Sequence, residues 1–328
     1  MGVEEDRVPL WGSRIARRVL VPFSVVLLLV VVAFVTVASL VQQAEHGQSL
    51  REAMIASRQM FSRNLERHAE ILRSTLPSVA GDESLKRAFL SRDREELLRR
   101  ATPAFSGLKA YQNITHFYFS GPDRTTFLRV HQPERHGDVI DRITTLEAER
   151  SGKSFVGLEL GPLGNLTLRA VTPWRDGDQL IGYLEIGIEI SHVLEEVHAQ
   201  SGMDLLLTVD KRFLDRDRWE QGTRMLNRPG DWSLLRSSVL VKSTLDRLPE
   251  GLPALLENNG HEFTESLTIL EDGGSYLVGG MPVIEAGGRE VGSFLILRDV
   301  TTVSAIFQRT VLLIAVISVG AGGPGSCV

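Results

Sequence analysis

The chain has 328 residues and a formal net charge of −5. That length allows one to three domains with cores of their own, and the charge balance supplies no basic face for phosphates, so no nucleic-acid partner is expected. The single cysteine, Cys327, excludes an internal disulfide and a multi-cysteine metal centre, and leaves the redox compartment open.

Residues 1–18 read as a short cytoplasmic tail of mixed charge. Residues 19–41 form a run of 23 residues without a charge, enough to cross about 30 Å of hydrocarbon and longer than the roughly 7 to 15 apolar residues of a signal peptide. Arg14, Arg17 and Arg18 precede the run while Glu45 and His46 follow it, so the N-terminus is expected in the cytoplasm and the following residues outside it. After the run, Leu50, Met54, Phe61, Leu65, Leu72 and Leu76 recur at spacings of four and seven, which places them on one stripe of a helix. That helix would extend about 50 Å at 1.5 Å per residue. Its stripe needs cover from its own domain or from a second copy, and a homodimer through the 42–76 helix is the expectation. Pro77 is expected to end it, and shorter helices follow up to Pro103, so 42–100 reads as a helical stalk.

From Ile114 the pattern turns to strands: 115–120, a turn at 121–124, then 126–131. A helix is expected over 136–149, stopped by Ser151-Gly152, followed by strands at 155–160, 166–171 and 180–188. A weaker version of the same plan follows, with a helix at 191–198, a strand at 203–208, mixed elements over 225–241 and a helical turn at 253–258. Strands at 263–270, 276–283 and 291–297 complete it, and Asp299 caps a last helix. Asp176-Gly-Asp-Gln-Leu-Ile-Gly-Tyr-Leu-Glu-Ile and Ala286-Gly-Gly-Arg-Glu-Val-Gly-Ser-Phe-Leu-Ile share one layout of turn, glycine and alternating strand. The fold class is therefore α+β: two antiparallel sheet domains in tandem, 101–190 and 191–300, behind a long N-terminal helix. A second transmembrane helix is expected at 303–323, reaching spanning length if Arg309 snorkels. It ends in glycine-rich residues that hold a helix poorly, so the chain reads as truncated there or weakly anchored.

Phe117-Tyr-Phe, Phe127-Leu-Arg-Val-His131, Pro133-Glu-Arg-His-Gly-Asp138, Asp141-Arg142, Gly157-Leu-Glu-Leu-Gly-Pro-Leu-Gly164 and Ile181-Gly-Tyr-Leu-Glu-Ile-Gly187 resemble the extracytoplasmic double Cache (PAS-like) sensory domain of bacterial two-component sensor kinases and related receptors. The resemblance extends over 42–301. It implies a membrane-distal PAS-like domain (101–190), a membrane-proximal one (191–300), flanking membrane helices and an inner-membrane location with the sensory part in the periplasm. It also implies ligand binding chiefly in the distal pocket, although some members sense through partner proteins. No kinase, methyl-accepting or cyclase module is legible in the chain, so the expectation is a sensor half, or a fragment of a sensor histidine kinase, with no catalytic activity of its own.

Arg129 and His131 alternate on one strand and share a face, with Phe127 joining them if the alternation is regular. Arg135, His136 and Arg142 follow closely, and Arg169 lies on the fourth strand. Such guanidinium forks suit a carboxylate or other small anion, with Glu159 and Glu185 fixing the arginines or meeting a ligand amine. Tyr118, Phe119, Trp174 and Tyr183 are candidate pocket aromatics. A buried structural ion network accounts for the same charges equally well. His131, Glu134, His136, Asp138 and Asp141 form a conceivable metal set, but their spacing matches no metalloenzyme signature, and Ser120, Ser151 and Ser154 lack a nucleophile-elbow setting. The expected function is thus a membrane-anchored sensor of a small anionic ligand without a cofactor or metal. The alternatives are a periplasmic protein-binding module and, further off, a metal-assisted hydrolase.

Overall fold

The computed structural model describes residues 11–225, 228, 230–259, 268–271 and 274–301. The chain divides into two compact units, and Ala53–Arg298 contains both sheets. In the other unit, the described part of helix α1 (Trp11–Ala80) carries exposed apolar side chains that include Phe23 and Phe34. Among the described residues no helix is long and apolar enough to cross a membrane. Several side chains of the 19–41 run lie outside the described set, and the expected second span at 303–323 lies wholly outside it.

The long helix does not stop at Pro77 but continues to Ala80. Pro77 lies on the exposed side, while Leu76 and Val79 beside it are buried in the distal core. An interior proline costs about 3 kcal/mol, and burying two such aliphatic side chains returns about 3 to 6 kcal/mol. The end of the helix is closed by Gly81 N–H donating to the Pro77 carbonyl at 2.9 Å and Trp174 Nε1 donating to the Ala80 carbonyl at 2.8 Å. Helices α2 (Glu83–Leu90) and α3 (Arg94–Gln112) follow. Pro103 also lies inside a helix, on its exposed side, because Leu97, Ala101, Phe105 and Leu108 keep an inward stripe running past it.

The first sheet comprises β1 (His116–Ser120), β2 (Thr126–Arg129), β3 (Phe155–Leu160), β4 (Leu166–Asp176) and β5 (Gln179–Glu189), antiparallel in the order β2-β1-β5-β4-β3. The second comprises β6 (Asp204–Asp210), β7 (Ser238–Ser243), β8 (Thr268–Glu271), β9 (Ser275–Ile284) and β10 (Glu290–Asp299) in the order β7-β6-β10-β9-β8. The two orders are the same with each strand advanced by five, so the internal repeat read from the glycine turns is a repeat of topology. Helix α5 (Ile190–Ser201) joins the sheets, and α6 (Arg216–Met225) and α7 (Leu252–Asn259) belong to the second domain.

The C-terminal part of α1 serves both domains. Leu72 and Leu76 join α2 and α3 over one face of the first sheet, against Phe117, Phe119, Leu184 and Ile186. Phe61 packs on the second sheet, its ring 4.6 Å from that of Phe294. From Phe61 to Leu76 the stripe is therefore covered by the chain's own sheets.

The expected helix over 136–149 is confined to α4 (Ile143–Ser151). Its first half runs instead along the sheet edge, where Thr126 N–H donates to Asp138 O at 2.8 Å and Gly137 N–H to Thr126 O at 2.8 Å, with Gly137 at φ +88°. Backbone groups needed at an open strand edge are unavailable to a helix. Phe127 is likewise displaced from its expected face: the β1–β2 register shifts between Phe119 and Ser120, and Phe127 packs on Phe89 in the helical layer, ring centres 5.3 Å apart. A bulge turns the alternation over by one residue.

Candidate functional site

The face of the first sheet opposite α2 and α3 carries a polar layer, flanked by α4. Tyr118 stands opposite Arg129 on one side and Glu185 on the other, and Arg169 is flanked by Gly157 and Gly187. The strands pack closely at Gly187, where a Cβ would lie 2.9 Å from Thr167 Cγ2 and 3.2 Å from the Leu168 carbonyl oxygen.

Three guanidiniums surround the Tyr118 ring, with the central carbons of Arg129, Arg142 and Arg169 at 5.2, 5.1 and 5.6 Å from its centre. Cation–π attraction contributes on this scale of distance, but like charges so close need anions. Glu185 supplies one, accepting from Arg142 Nη2 at 2.5 Å and from Arg169 Nη1. Glu159 supplies another, its Oε2 lying 3.5 Å from Arg142 Nε and 3.8 Å from Arg169 Nε. Arg129 turns outward to Asp138, with Nη1 to Oδ1 at 2.8 Å and Nη2 to Oδ2 at 2.6 Å, and Nη1 also donates to the Arg135 carbonyl at 2.7 Å. Arg129 is thus the clasp of the 130–138 loop.

Burial opposes the Arg169 charge, yet Glu185, Tyr118 and Glu159 together raise its pKa above the usual value. Burial likewise raises Glu185, but Arg142 and Arg169 outweigh it and hold the carboxyl below its usual range. Glu159 moves upward, because its burial exceeds the help it receives from Thr144 N–H, Arg169 and Arg142. His131 is pushed down to about 3 by burial and then by Arg169, and His116 is pushed well below its usual value by burial and the same cations. Both imidazoles are neutral at physiological pH.

Most of the residues expected from the sequence meet here: Tyr118, Arg129, His131, Arg142, Glu159 and Arg169. His131 accepts from Phe117 N–H at 3.3 Å and its ring is 4.7 Å from that of His116 and 4.9 Å from that of Tyr118. Arg135 contributes its carbonyl, while its side chain bonds Gln132 at 3.0 Å. His136 is exposed and lines an open surface depression with Arg92 and Arg94, away from the layer. The conceivable metal set is dispersed by the same geometry, and among the described residues no group of three or more His, Cys, Asp or Glu is placed to hold an ion.

Two contributors were not read from the sequence. His116 lies two residues before Tyr118, so the alternation that exposes one to this face exposes the other. Thr144 had no such signal: its N–H donates to Glu159 Oε1 at 2.7 Å, so a glutamate distant in the chain caps α4, whose own N-cap residue, Arg142, makes no side-chain cap bond. A carboxylate at a helix N-terminus is favoured by the orphan N–H groups and the dipole.

The layer is incompletely satisfied. Arg142 Nε, Arg169 Nε, Glu159 Oε2 and the hydroxyls of Thr144 and Thr145 are buried without a hydrogen-bond partner in the protein. The Glu159 contacts of 3.5 and 3.8 Å are ionic in reach but too long for hydrogen bonds. Donors and acceptors of this kind converge where a further polar group can complete them.

Two sheets of one topology mounted on a shared helix, with a buried polar layer in the first, define a tandem PAS-like sensory protein. Residues 47–304 match the family described as the double sensory domain of two-component sensor kinase, and the chain belongs to that family, the double Cache sensory domains. Its domains sense and signal, and are not themselves catalytic. Similar solved structures include the periplasmic domain of Vibrio cholerae LuxQ, at 15% identity over 75% of this chain and 99% of that chain with a TM-score of 0.46. The ligand-binding domain of the Pseudomonas aeruginosa PAO1 amino acid chemoreceptor PctC in complex with GABA is 13% identical over 77% and 98%, with a TM-score of 0.38. The Escherichia coli DcuS sensor domain is 18% identical over 42% and 98%, with a TM-score of 0.36. No curated protein matches the sequence.

Proposed function

We propose that the chain is the periplasmic sensing part of an inner-membrane receptor, anchored by residues 19–41, which binds a small anionic ligand in the polar layer of its distal domain. The observation that carries this reading is the convergence of Arg142, Arg169 and Glu159 with buried polar atoms lacking protein partners. A ligand carboxylate would take the free Nε donors, and a ligand amine or hydroxyl would satisfy Glu159 Oε2. Signal transfer would use the β9–β10 turn. Ala286 N–H donates to the Leu158 carbonyl at 2.7 Å, next to Glu159, and the strand after that turn, β10, leads to Asp299, which caps the following residues through Thr301 N–H at 2.8 Å. The ligand would have to bind two arrangements of this path with different affinity. A homodimer through the part of α1 preceding Phe61 and a second span at 303–323 complete the proposed receptor.

The test is a thermal-shift and calorimetric screen of the full chain in detergent against organic acids and amino acids, repeated with Arg142→Gln. Arg142 is preferred to Arg129, whose guanidinium holds the covering loop. The bound acid should lose at least about tenfold in affinity, the cost of a charge-assisted hydrogen bond; unchanged affinity would remove the layer from consideration.

One observation favours a second reading, a protein-binding module: each of the three guanidiniums already pairs with a carboxylate, which suits a layer that shapes the covering loop for a partner. It would gain if no compound binds while substitutions in 133–137 abolish capture of a periplasmic protein.

A further inference from the structure

Within the unit that holds both sheets, a cleft of about 740 Å³ lies between the 138–142 loop and β3–β4 turn of the distal domain and the Lys211–Phe213 turn, α6 and β9–β10 turn of the proximal one. Arg142, Arg212, Arg218 and Arg289 line it against Asp138 and Asp141, and Asp138 is already engaged by Arg129. The lining is therefore cationic in a molecule of net negative charge.

Three of those arginines are arranged rather than merely exposed. The guanidinium carbons of Arg212 and Arg289 lie 5.5 and 5.4 Å from the centre of the Phe213 ring. Each is anchored along one edge by a buried carboxylate, Arg212 Nε to Asp210 Oδ2 at 2.8 Å and Arg289 Nε to Glu285 Oε1. Their side chains nevertheless remain 70% and 62% exposed. Among the described residues the side-chain ion pairs of Arg212 and Arg289 are those with Asp210 and Glu285, made through Nε and, for Arg212, Nη2, and Arg218 makes no ion pair. Heads held in place by their far edge lose less rotamer freedom on binding. Arg142 closes the set from the distal side while its Nη2 donates to Glu185 at 2.5 Å.

We propose that this cleft is a second ligand site, specific for a small anion bearing two or more carboxylate or phosphate groups. A single negative charge at such exposed cations is screened within about 8 Å at physiological ionic strength and gains little. A multivalent anion engages several forks at once, and the cleft has the size of small-molecule sites, about 300 to 1,000 Å³. Because its walls come from both domains, an anion bound there braces one against the other and competes with Glu185 for Arg142.

The site is tested by calorimetry on the full chain in detergent at about 0.15 M salt, with citrate, inorganic pyrophosphate and acetate as probes. Saturable binding of citrate or pyrophosphate but not acetate is expected, and the tighter of the two identifies the carboxylate or phosphate class. The double variant R218Q/R289Q should weaken it at least about tenfold. Arg289 balances the buried Glu285, so Arg218→Glu, at an exposed position without an ion pair, is the second variant and should weaken binding with an unchanged melting temperature. The proposal is overturned if neither multivalent anion binds saturably at this salt, if acetate binds equally, or if Arg218→Glu leaves the affinity unchanged. Arg142 belongs to both the cleft and the layer, so Arg218→Glu, at a residue that lines the cleft alone, is the variant that separates this site from the layer: binding that survives it belongs to the layer and overturns the second site.

Discussion

Arg169 is almost wholly buried, and it exists in the fold only with its carboxylates. Its replacement by Met would leave Glu185 and Glu159 facing each other with Arg142 as their only nearby guanidinium. Removing one member of a buried ionic group typically costs about 3 to 5 kcal/mol, and denaturant melts of Arg169→Met should show a loss of that size. A smaller loss in R169M/E185L than in R169M alone would mark the remaining penalty as an unpaired charge. The histidines predict an acid limb. His131 falls from an ordinary 6.5 to about 3 in the fold, so the unfolded chain takes up the proton first, and stability present above pH 6.5 is lost as the pH falls toward 3. His116 moves in the same direction. Glu185, depressed from 4.5, adds a loss as the pH falls below 4.5, while Glu159, raised from 4.5, returns some stability above that pH, as the pH falls toward 4.5. Melts between pH 7 and 5 should therefore lose about 1 kcal/mol per unit through His131, and His131→Gln should flatten the slope. The site residues are legible because Tyr118, Arg129, Glu159 and Arg169 obey strand alternation; whether Phe127 shares their face is decided by a bulge, which leaves no mark in the side-chain pattern.

At the scale of elements, the two prolines show how tertiary contacts override local preference. Pro77 and Pro103 both sit inside helices because each is on the outer side of an inward stripe. Helix α4 shows the converse, a helical pattern over 136–149 cut short because its first residues are needed along the edge of the sheet. The proposed signal path runs through the β9–β10 turn. Gly157 on β3 lets Ala286 approach so closely that a Cβ there would lie 2.6 Å from Ala286 Cβ. Gly157→Val should push the turn away at a cost of about 1 to 3 kcal/mol, as overpacking does. Hydrogen exchange should show faster opening at Ala286, whose N–H bonds Leu158; unchanged protection would remove this contact as a coupling route.

At the scale of the whole molecule, the chain is one plan used twice on a common helix. Both sheets share their strand order, and the second core includes Leu158 and Leu166 from the first sheet alongside Leu207 and Phe294 from the second. A shared core of this kind makes the domains unfold together, and a single cooperative transition is expected in calorimetry of the full chain. Anchoring belongs to this scale too. With residues 19–41 intact the protein should resist alkaline extraction from membranes, and deletion of that run should release it to the soluble fraction; release of the intact protein would overturn the proposed anchor.

The sequence by itself determined the α+β class, the tandem repeat, the polar face of the first sheet and the uncharged run, since each is a periodic or compositional property that a short window carries. Tertiary structure alone decided the rest. The stripe of α1 from Phe61 to Leu76 could have faced a second copy, and faces the chain's own sheets because both cores close upon it. Arg129 and Arg142 could have been equivalent ligand arginines, and differ because one clasps Asp138 while the other reaches Glu185. The cationic cleft joins residues 142 and 289, and no local pattern can announce a site assembled from walls so far apart in the chain.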